Sequence, residues 1–163
     1  MTPTSPFRAA VAAQLPSEAA VDGLLGAMTP REWQEVGEVF AARLPEFGVV
    51  VAVAGAQDLG RAVAQSRGVP LLDGPWTGEP DTLALILTGQ LGGGEPERDA
   101  VLAARAQGLC VEVLAAAVER TSLGGRHLLG GVGVRVRAAV QLADAPWGLL
   151  FERRAPDRWS VAS

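Results

Sequence analysis

The chain has 163 residues, 48% of them hydrophobic and 20% charged, with a formal net charge of −4, a balance that suits one globular domain and excludes disordered and fibrous classes. No apolar run approaches the roughly 20 residues that cross a bilayer, the opening MTPTSPFRAAVAAQLP lacks the apolar stretch of a signal peptide, and scattered arginines on an acidic chain do not make the basic stripe of a nucleic-acid binder. We therefore expect a cytoplasmic protein with no membrane or nucleic-acid partner. Every basic residue is arginine, and lysine, tyrosine and asparagine are absent, which removes Schiff-base chemistry and Walker-type phosphate lysines. One cysteine, Cys110, and one histidine, His127, cannot form a structural zinc site, and no metal site is expected.

Val11 and Leu15 begin an apolar pattern that Pro16 interrupts. Ser17 then stands ready to cap a helix carrying Val21, Leu24, Leu25 and Met28 on one face. Thr29, Pro30, Arg31 and Glu32 spell a capping box with proline at the first helical position. Trp33, Val36, Gly37, Phe40, Ala41 and Leu44 continue that helix along one face as far as Pro45. Residues 1–47 thus form a helical segment whose apolar faces need a sheet to cover.

GVVVAVAG, 48–55, is the continuous β-branched run of a strand buried on both faces. Gln57 or Asp58 caps the helix that follows, and Gly68 ends it. VPLLD, 69–73, reads as a second short strand, and 74–80 as a turn-rich loop with Trp76 as a candidate lid. Next comes TLALILTGQLGGGEPE, 82–97, a buried strand that opens through three glycines into the mouth of a helix. Main-chain N–H groups at Gly92, Gly93 and Gly94, with those of the helix starting near Pro96, present positive dipole to the crevice where an open α/β sheet holds its ligand. The turn reads either as a phosphate cradle or as a tight connection with no ligand. Glu95, Glu97 and Asp99 look like a metal cluster, but they fall in a helix's first turn, where the dipole favours acids.

A helix over 97–108 and a buried strand over 109–118, with Cys110 packed as a core thiol, follow. TSLGGR is a turn, one helical turn spans 126–129, and His127 beside Arg126 reads as a solvated surface histidine. In VGVRVRAAVQL, valines alternate with Gly133, Arg135 and Arg137, so one face is wetted. The tail adds a last strand through Leu149, Leu150 and Phe151. Trp33 reads as core and Trp147 as a candidate subunit contact, and Trp159 falls in the tail. The succession is α/β, and the right-handed crossover rule makes it a doubly wound, mostly parallel sheet flanked by helices. A single domain over 1–163 would then comprise the helical segment 1–47, an α/β core 48–142 and an extension 143–163.

Three stretches carry a resemblance to the type I phosphoribosyltransferases, and to their orotate branch in particular. ALIL at 84–87 with the glycines at 92–94 resembles the family signature of four apolar residues, two acids, two apolar residues and a glycine turn. VERTSLGGRHLLGGVGVRV, 118–136, resembles its valine-acid-arginine strand end, glycine turn and next strand. AGAQDLGRAVAQSRGVPLL, 54–72, resembles its pyrophosphate loop and helix. The resemblance implies that Thr88, Gly89, Gly92, Gly93, Gly94 and Glu95 line a phosphate or nucleotide site, with Gly55, Ala56, Gln57 and Asp58 as the pyrophosphate loop. It implies that Arg120 meets a base or carboxylate, that the protein is a homodimer, and that magnesium is present only if phosphoribosyl diphosphate (PRPP) is bound.

Departures from the family pattern are specific. Thr88 and Gly89 occupy the two acid positions that hold the ribose hydroxyls and help place the magnesium, and neither supplies a carboxylate. Asp58 brings negative charge into a loop that should meet a diphosphate. No lysine neutralises a leaving pyrophosphate. We therefore expect a degenerate PRPP site: a non-catalytic or weakly active binder of a phosphorylated small molecule, PRPP or a nucleotide, or a regulatory and interaction module. The alternative is an active phosphoribosyltransferase of nucleotide salvage or pyrimidine synthesis that uses a rebuilt site. No GxSxG elbow supports hydrolase chemistry.

Overall fold

The computed structural model describes residues 5–152. Three helices come first, α1 (Pro6–Ala12), α2 (Glu18–Ala27) and α3 (Pro30–Arg43). Each starts on the cap its sequence specifies. The Ser5 and Ser17 hydroxyls accept from Arg8 and Ala20, and Thr29 and Glu32 form the full capping box. The remaining elements are β1 (Val49–Ala52), α4 (Gln57–Arg67), β2 (Leu83–Leu91), α5 (Glu95–Ala106), β3 (Cys110–Arg120), α6 (Gly125–Gly130), β4 (Arg135–Ala145) and β5 (Gly148–Phe151).

The sheet order is β1-β2-β3-β4-β5. The first four strands are parallel, and β5 returns antiparallel on β4. VPLLD does not form the expected strand. Residues 70–72 touch the outer side of β1 through one parallel bridge, Val50 to Leu71, with bonds from Val50 N–H to Pro70 O and from Leu72 N–H to Val50 O. Proline at 70 and the turn-forming Asp73-Gly74-Pro75 leave too short a run to extend the ladder. The chain thus moves outward from β1 through α4 and returns to β1's other side at β2. That reversal of direction is where doubly wound sheets open a crevice at their carboxyl ends.

Helices cover both faces. Trp33, Val36 and Phe40 of α3 and Leu59 and Val63 of α4 pack on Val50, Leu85, Leu87, Val113 and Ala115. On the opposite face Val101 and Ala104 of α5 and Leu129 of α6 pack on Ala84, Ile86, Leu114, Ala116 and Val136. The alternation of the two sets along β2 and β3 is the period-2 pattern of strands buried on both sides. A third cluster joins Val11 and Val21 to Val118, Val140, Leu142 and Leu149, and seats the first two helices at the β3-β4-β5 end.

Arg67, at the end of α4, locks α3 in place. Its guanidinium donates to the main-chain oxygens of Ala41, Leu44 and Pro45, carbonyls left over at the C-terminal end of α3, and lies 4.7 Å from the Phe47 ring centroid. β4 alternates as expected, and β5 pairs only with its last residues, 142–145, so the stretch of β4 that carries Arg135 and Arg137 has β3 on one side and no paired strand on the other among the described residues. Trp76 is no lid over the crevice. Its backbone N–H donates to Gln107 at the C-terminal end of α5, beside the start of β3, so it lies at the end of the sheet away from the strands' carboxyl ends. Cys110, half-buried at the start of β3, is less enclosed than expected. Trp159 and the rest of the tail after Glu152 lie outside the described residues.

Candidate functional site

Parallel pairing of β1, β2 and β3 brings their carboxyl ends to one edge of the sheet. β1 pairs only as far as Ala52 with Leu87, so β2 continues through Thr88, Gly89, Gln90 and Leu91 past β1's end. Three connections meet this edge: 53–56 into α4, 92–94 into α5, and 121–124 into α6.

The glycine turn after β2 is shaped by its neighbour. Gly94 caps α5 at φ 91°, ψ 0°, a conformation that favours glycine. A Cβ on Gly94 would sit 3.0 Å from Gly125 Cα, and one on Gly125 would run into the Gly92 carbonyl oxygen and Leu91. The two glycine turns therefore interlock, main chain against main chain. Exposed Glu95 folds back over the turn, with Oε2 2.8 Å from where a Gly93 Cβ would stand.

Thr88 lies where the sequence puts it, at the end of β2, but its side chain turns under α5. There Thr88 Oγ1 donates to Glu97 Oε2 at 3.0 Å, and each residue is 4% exposed. Burial raises the Glu97 pKa above the ordinary carboxylate value, only partly offset by the Thr88 bond. Glu97 is therefore no solvated first-turn acid. It shares the buried face of α5 with Val101 and Ala104, an i, i+4, i+7 spacing that marks it in the sequence. Gly89 faces the other side, where a Cβ would lie 4.0 Å from the Trp33 ring.

Asp58 and Gln57 do not cap α4. The helix has Ala56 at its N-cap and no side-chain cap bond; Gln57 Oε1 instead accepts from Gly55 N–H, and Asp58 forms an exposed pair with Arg61 at 2.9 Å. The loop at 55–58 is thus braced by its own side chains, with Asp58 in the first turn of α4.

β3 runs two residues beyond the predicted end and carries Glu119 and Arg120 into the interior. Glu119 receives Arg126 Nε and Nη2 at 3.0 and 2.8 Å and Gln141 Nε2 at 2.9 Å. Arg126 is therefore bound to a buried acid, while His127 next to it is exposed. Arg120, 4% exposed, donates to Glu18 of α2 and Asp144 of β4, each at 2.9 Å. Burial works against its charge, but these two carboxylates outweigh it and hold the guanidinium pKa above its ordinary value. Both partners are carboxylates of this chain, and the neighbouring Glu119 is not one of them. The Arg120 Nε and Gln90 Oε1 are buried without a protein partner.

Among the described residues no three or more His, Cys, Asp or Glu side chains converge to hold a metal ion. Thr88 and Gly89 offer no carboxylate where paired acids would help place a PRPP-bound magnesium, so the residues present do not fit that ion in the family's manner. No helix among the described residues is long and apolar enough to cross a membrane.

No family model and no curated protein sequence matches this chain. Solved structures do. The chain is similar to orotate phosphoribosyltransferase of Mycobacterium tuberculosis H37Rv, solved in complex with PRPP, at TM-score 0.67 and 20% identity over 85% of this chain and 90% of that one. It is similar to adenine phosphoribosyltransferase of Thermoanaerobacter pseudethanolicus at TM-score 0.60 and 16% identity, over 74% and 86%. It also matches UMP synthase of Leishmania donovani at TM-score 0.60 and 20% identity, covering 69% of this chain but only 27% of that longer one. The fold is that of the type I phosphoribosyltransferases.

Proposed function

We propose that this protein is a phosphoribosyltransferase-fold binder of a phosphate-bearing small molecule, PRPP or a nucleotide, that has lost efficient transfer. The observation that carries this reading is at the end of β2: Thr88 is committed to Glu97 beneath α5, and Gly89 has no side chain. A glycine turn at a strand end binds phosphate through main-chain groups and needs no particular side chain, so Gly92, Gly93 and Gly94 are its binding residues. Arg120 adds a guanidinium whose two partners, Glu18 and Asp144, are themselves solvent-exposed. A regulatory or interaction role as a homodimer goes with this reading, and Trp147, 72% exposed at the β4–β5 turn, is its subunit contact.

The test is a transfer assay with PRPP, magnesium and a panel of orotate and purine bases, run beside thermal shifts with PRPP, ribose 5-phosphate and nucleotides. The expected result is a ligand-dependent rise in melting temperature without turnover. Turnover near the ordinary enzyme rate of about 10 s⁻¹ overturns the loss of catalysis, and no shift with any phosphorylated ligand overturns the binding.

One observation favours an active transferase of nucleotide salvage or pyrimidine synthesis. Glu119 is held at the level of the glycine turn, in register with Leu91, by Arg126 and Gln141. That reading requires turnover in the same assay, and its loss in Glu119→Gln.

A further inference from the structure

On the α3 face of the sheet, opposite α5, the three N-terminal helices leave a groove around a cavity of about 110 Å³. Its floor is Ala139 of β4. One row of the parallel register joins Thr88, Ala116 and Ala138 and another joins Gln90, Val118 and Val140. Ala139 falls between the two, so the groove lies close to the strands' carboxyl ends. The gap has a local cause: α3 packs in one apolar cluster, α1 and α2 pack in another, and where the two meet the floor carries only a methyl group. Phe7 packs against both clusters, its ring centroid 6.4 Å from that of Trp33, and forms a wall that its neighbours hold in place.

α3 contributes both kinds of chemistry. Glu32, Glu35, Val36 and Val39 all line the groove, at the i, i+3, i+4, i+7 spacing of one helix face. Val39 is 40% exposed there, and apolar groups around an unfilled space lack dispersion partners on its open side. The two carboxylates are exposed. Glu32 takes both Thr29 bonds on Oε1, which leaves Oε2 as an acceptor, and those bonds hold its pKa below the ordinary value, so it stays charged. The Glu35 carboxylate has no hydrogen bond or ion pair among the described residues, and no basic side chain lines the groove.

We infer that this groove binds a small organic cation, a protonated amine on a body of one ring or a short branched chain, with the body over Ala139 and the ammonium at the rim beside Glu32 and Glu35. The size of the body follows from the volume: an apolar cavity of about 150 Å³ takes benzene, and this smaller one is open at its mouth. The sign of the charge follows from the rim, where two carboxylates attract a cation and reject an anion. Met28, unbranched and adaptable, lets the wall close on bodies of slightly different shape. The site faces away from α5 and does not depend on phosphate binding at the glycine turn.

The test titrates the full chain with benzylamine, its neutral counterpart benzyl alcohol, and benzoate, followed residue by residue through amide NMR. No phosphorylated compound is present, so the result is separate from that of the phosphate assay. Expected with benzylamine are saturable shifts at Phe7, Met28 and Val39, with Gly92, Gly93 and Gly94 unmoved. Benzyl alcohol should bind several-fold more weakly and benzoate not at all. Glu35→Gln should weaken benzylamine several-fold and leave benzyl alcohol unchanged. Val39→Arg should abolish both, with the rest of the spectrum reporting an intact fold; should that variant unfold, the exposed Glu35→Gln still decides. No saturable shift with benzylamine overturns the proposal, as do shifts centred on the glycine turn, benzoate binding equal to that of the amine, or an unchanged affinity in Glu35→Gln. So does an affinity that falls as sedimentation shows a dimer, which would make the occupant a second copy.

Discussion

Thr88 on β2 and Glu97 on α5 close on one another inside the protein, hydroxyl to carboxylate at 3.0 Å. The pair ties α5 to the strand it follows, and it commits the Thr88 hydroxyl to the interior.

Removing the donor should cost more than removing the charge. Thr88→Val removes the side-chain donor to a buried carboxylate and should lower stability by about 1–3 kcal/mol. Glu97→Gln keeps an acceptor for the threonine and sheds a desolvated charge, so it should be close to neutral at low pH. Because burial raises the Glu97 pKa in the folded state, folding favours the protonated form. That contribution is fully present below the ordinary glutamate value and is lost as pH rises through the raised one. Wild type should therefore lose stability relative to Glu97→Gln across that window, as urea midpoints of the two proteins at successive pH values will show; a constant difference would contradict the assignment.

The interlocked glycine turns give a second prediction. Gly125→Ala drives a methyl into the Gly92 carbonyl and Leu91, and overpacking of that kind costs about 1–3 kcal/mol. Gly23, inside α2 with nothing near its Cβ position, is the control: Gly23→Ala should stabilise by about 0.5–1 kcal/mol. If the loops bind phosphate as proposed, Gly125→Ala should also weaken it, and Gly23→Ala should not.

Much of this architecture was legible because local chemistry and global packing agree. The caps at Ser17 and Thr29, the stop at Gly68 and the alternation of β4 each depend on residues next to one another, and so does the strand-glycine-helix pattern at 82–97, which is β2, its turn and α5. Charged positions were harder to read than these elements, and whether the glycine turn at 92–94 lines a ligand crevice is a matter for the binding tests above. Glu119 and Arg120 look like the solvated end of a strand, yet they lie inside it, because their partners Arg126, Gln141, Glu18 and Asp144 come from four other places in the chain. Pairing across such separations leaves no periodic trace. Glu97 did leave one, its spacing to Val101 and Ala104, but an acid in a first helical turn has a simpler explanation in the dipole. VPLLD failed for the opposite reason: its apolar run is real, but proline and the following turn limit it to a single bridge.

Arg120 should show strong coupling between its two acids. Glu18 and Asp144 are solvent-exposed and the guanidinium is not, so losing one acid leaves Arg120 a partner while losing both strands a buried charge. Glu18→Ala and Asp144→Ala should each be mild, whereas the double variant should cost about 3–5 kcal/mol, well beyond their sum. Additive effects in a double-mutant cycle would mean that Arg120 is reached by water and does not depend on these carboxylates.

The turn after β2 also predicts a gain of binding. Glu95 lays its carboxylate over Gly93, where a phosphate held by the glycine turn would sit, and Asp58 adds a second negative charge at the mouth of α4. A fixed carboxylate there competes for the same helix-terminal dipole and repels an incoming anion, by about 1 kcal/mol at 4 Å in bulk water and more where solvent is displaced. Glu95→Gln should therefore bind ribose 5-phosphate several-fold more tightly than wild type, and Asp58→Asn should do so to a lesser degree, since Arg61 already pairs with that acid in solvent. Titration calorimetry at low and high salt separates this from a change in fold: the gain should shrink as added ions screen the repulsion. Unchanged or weaker binding in Glu95→Gln would place the phosphate elsewhere.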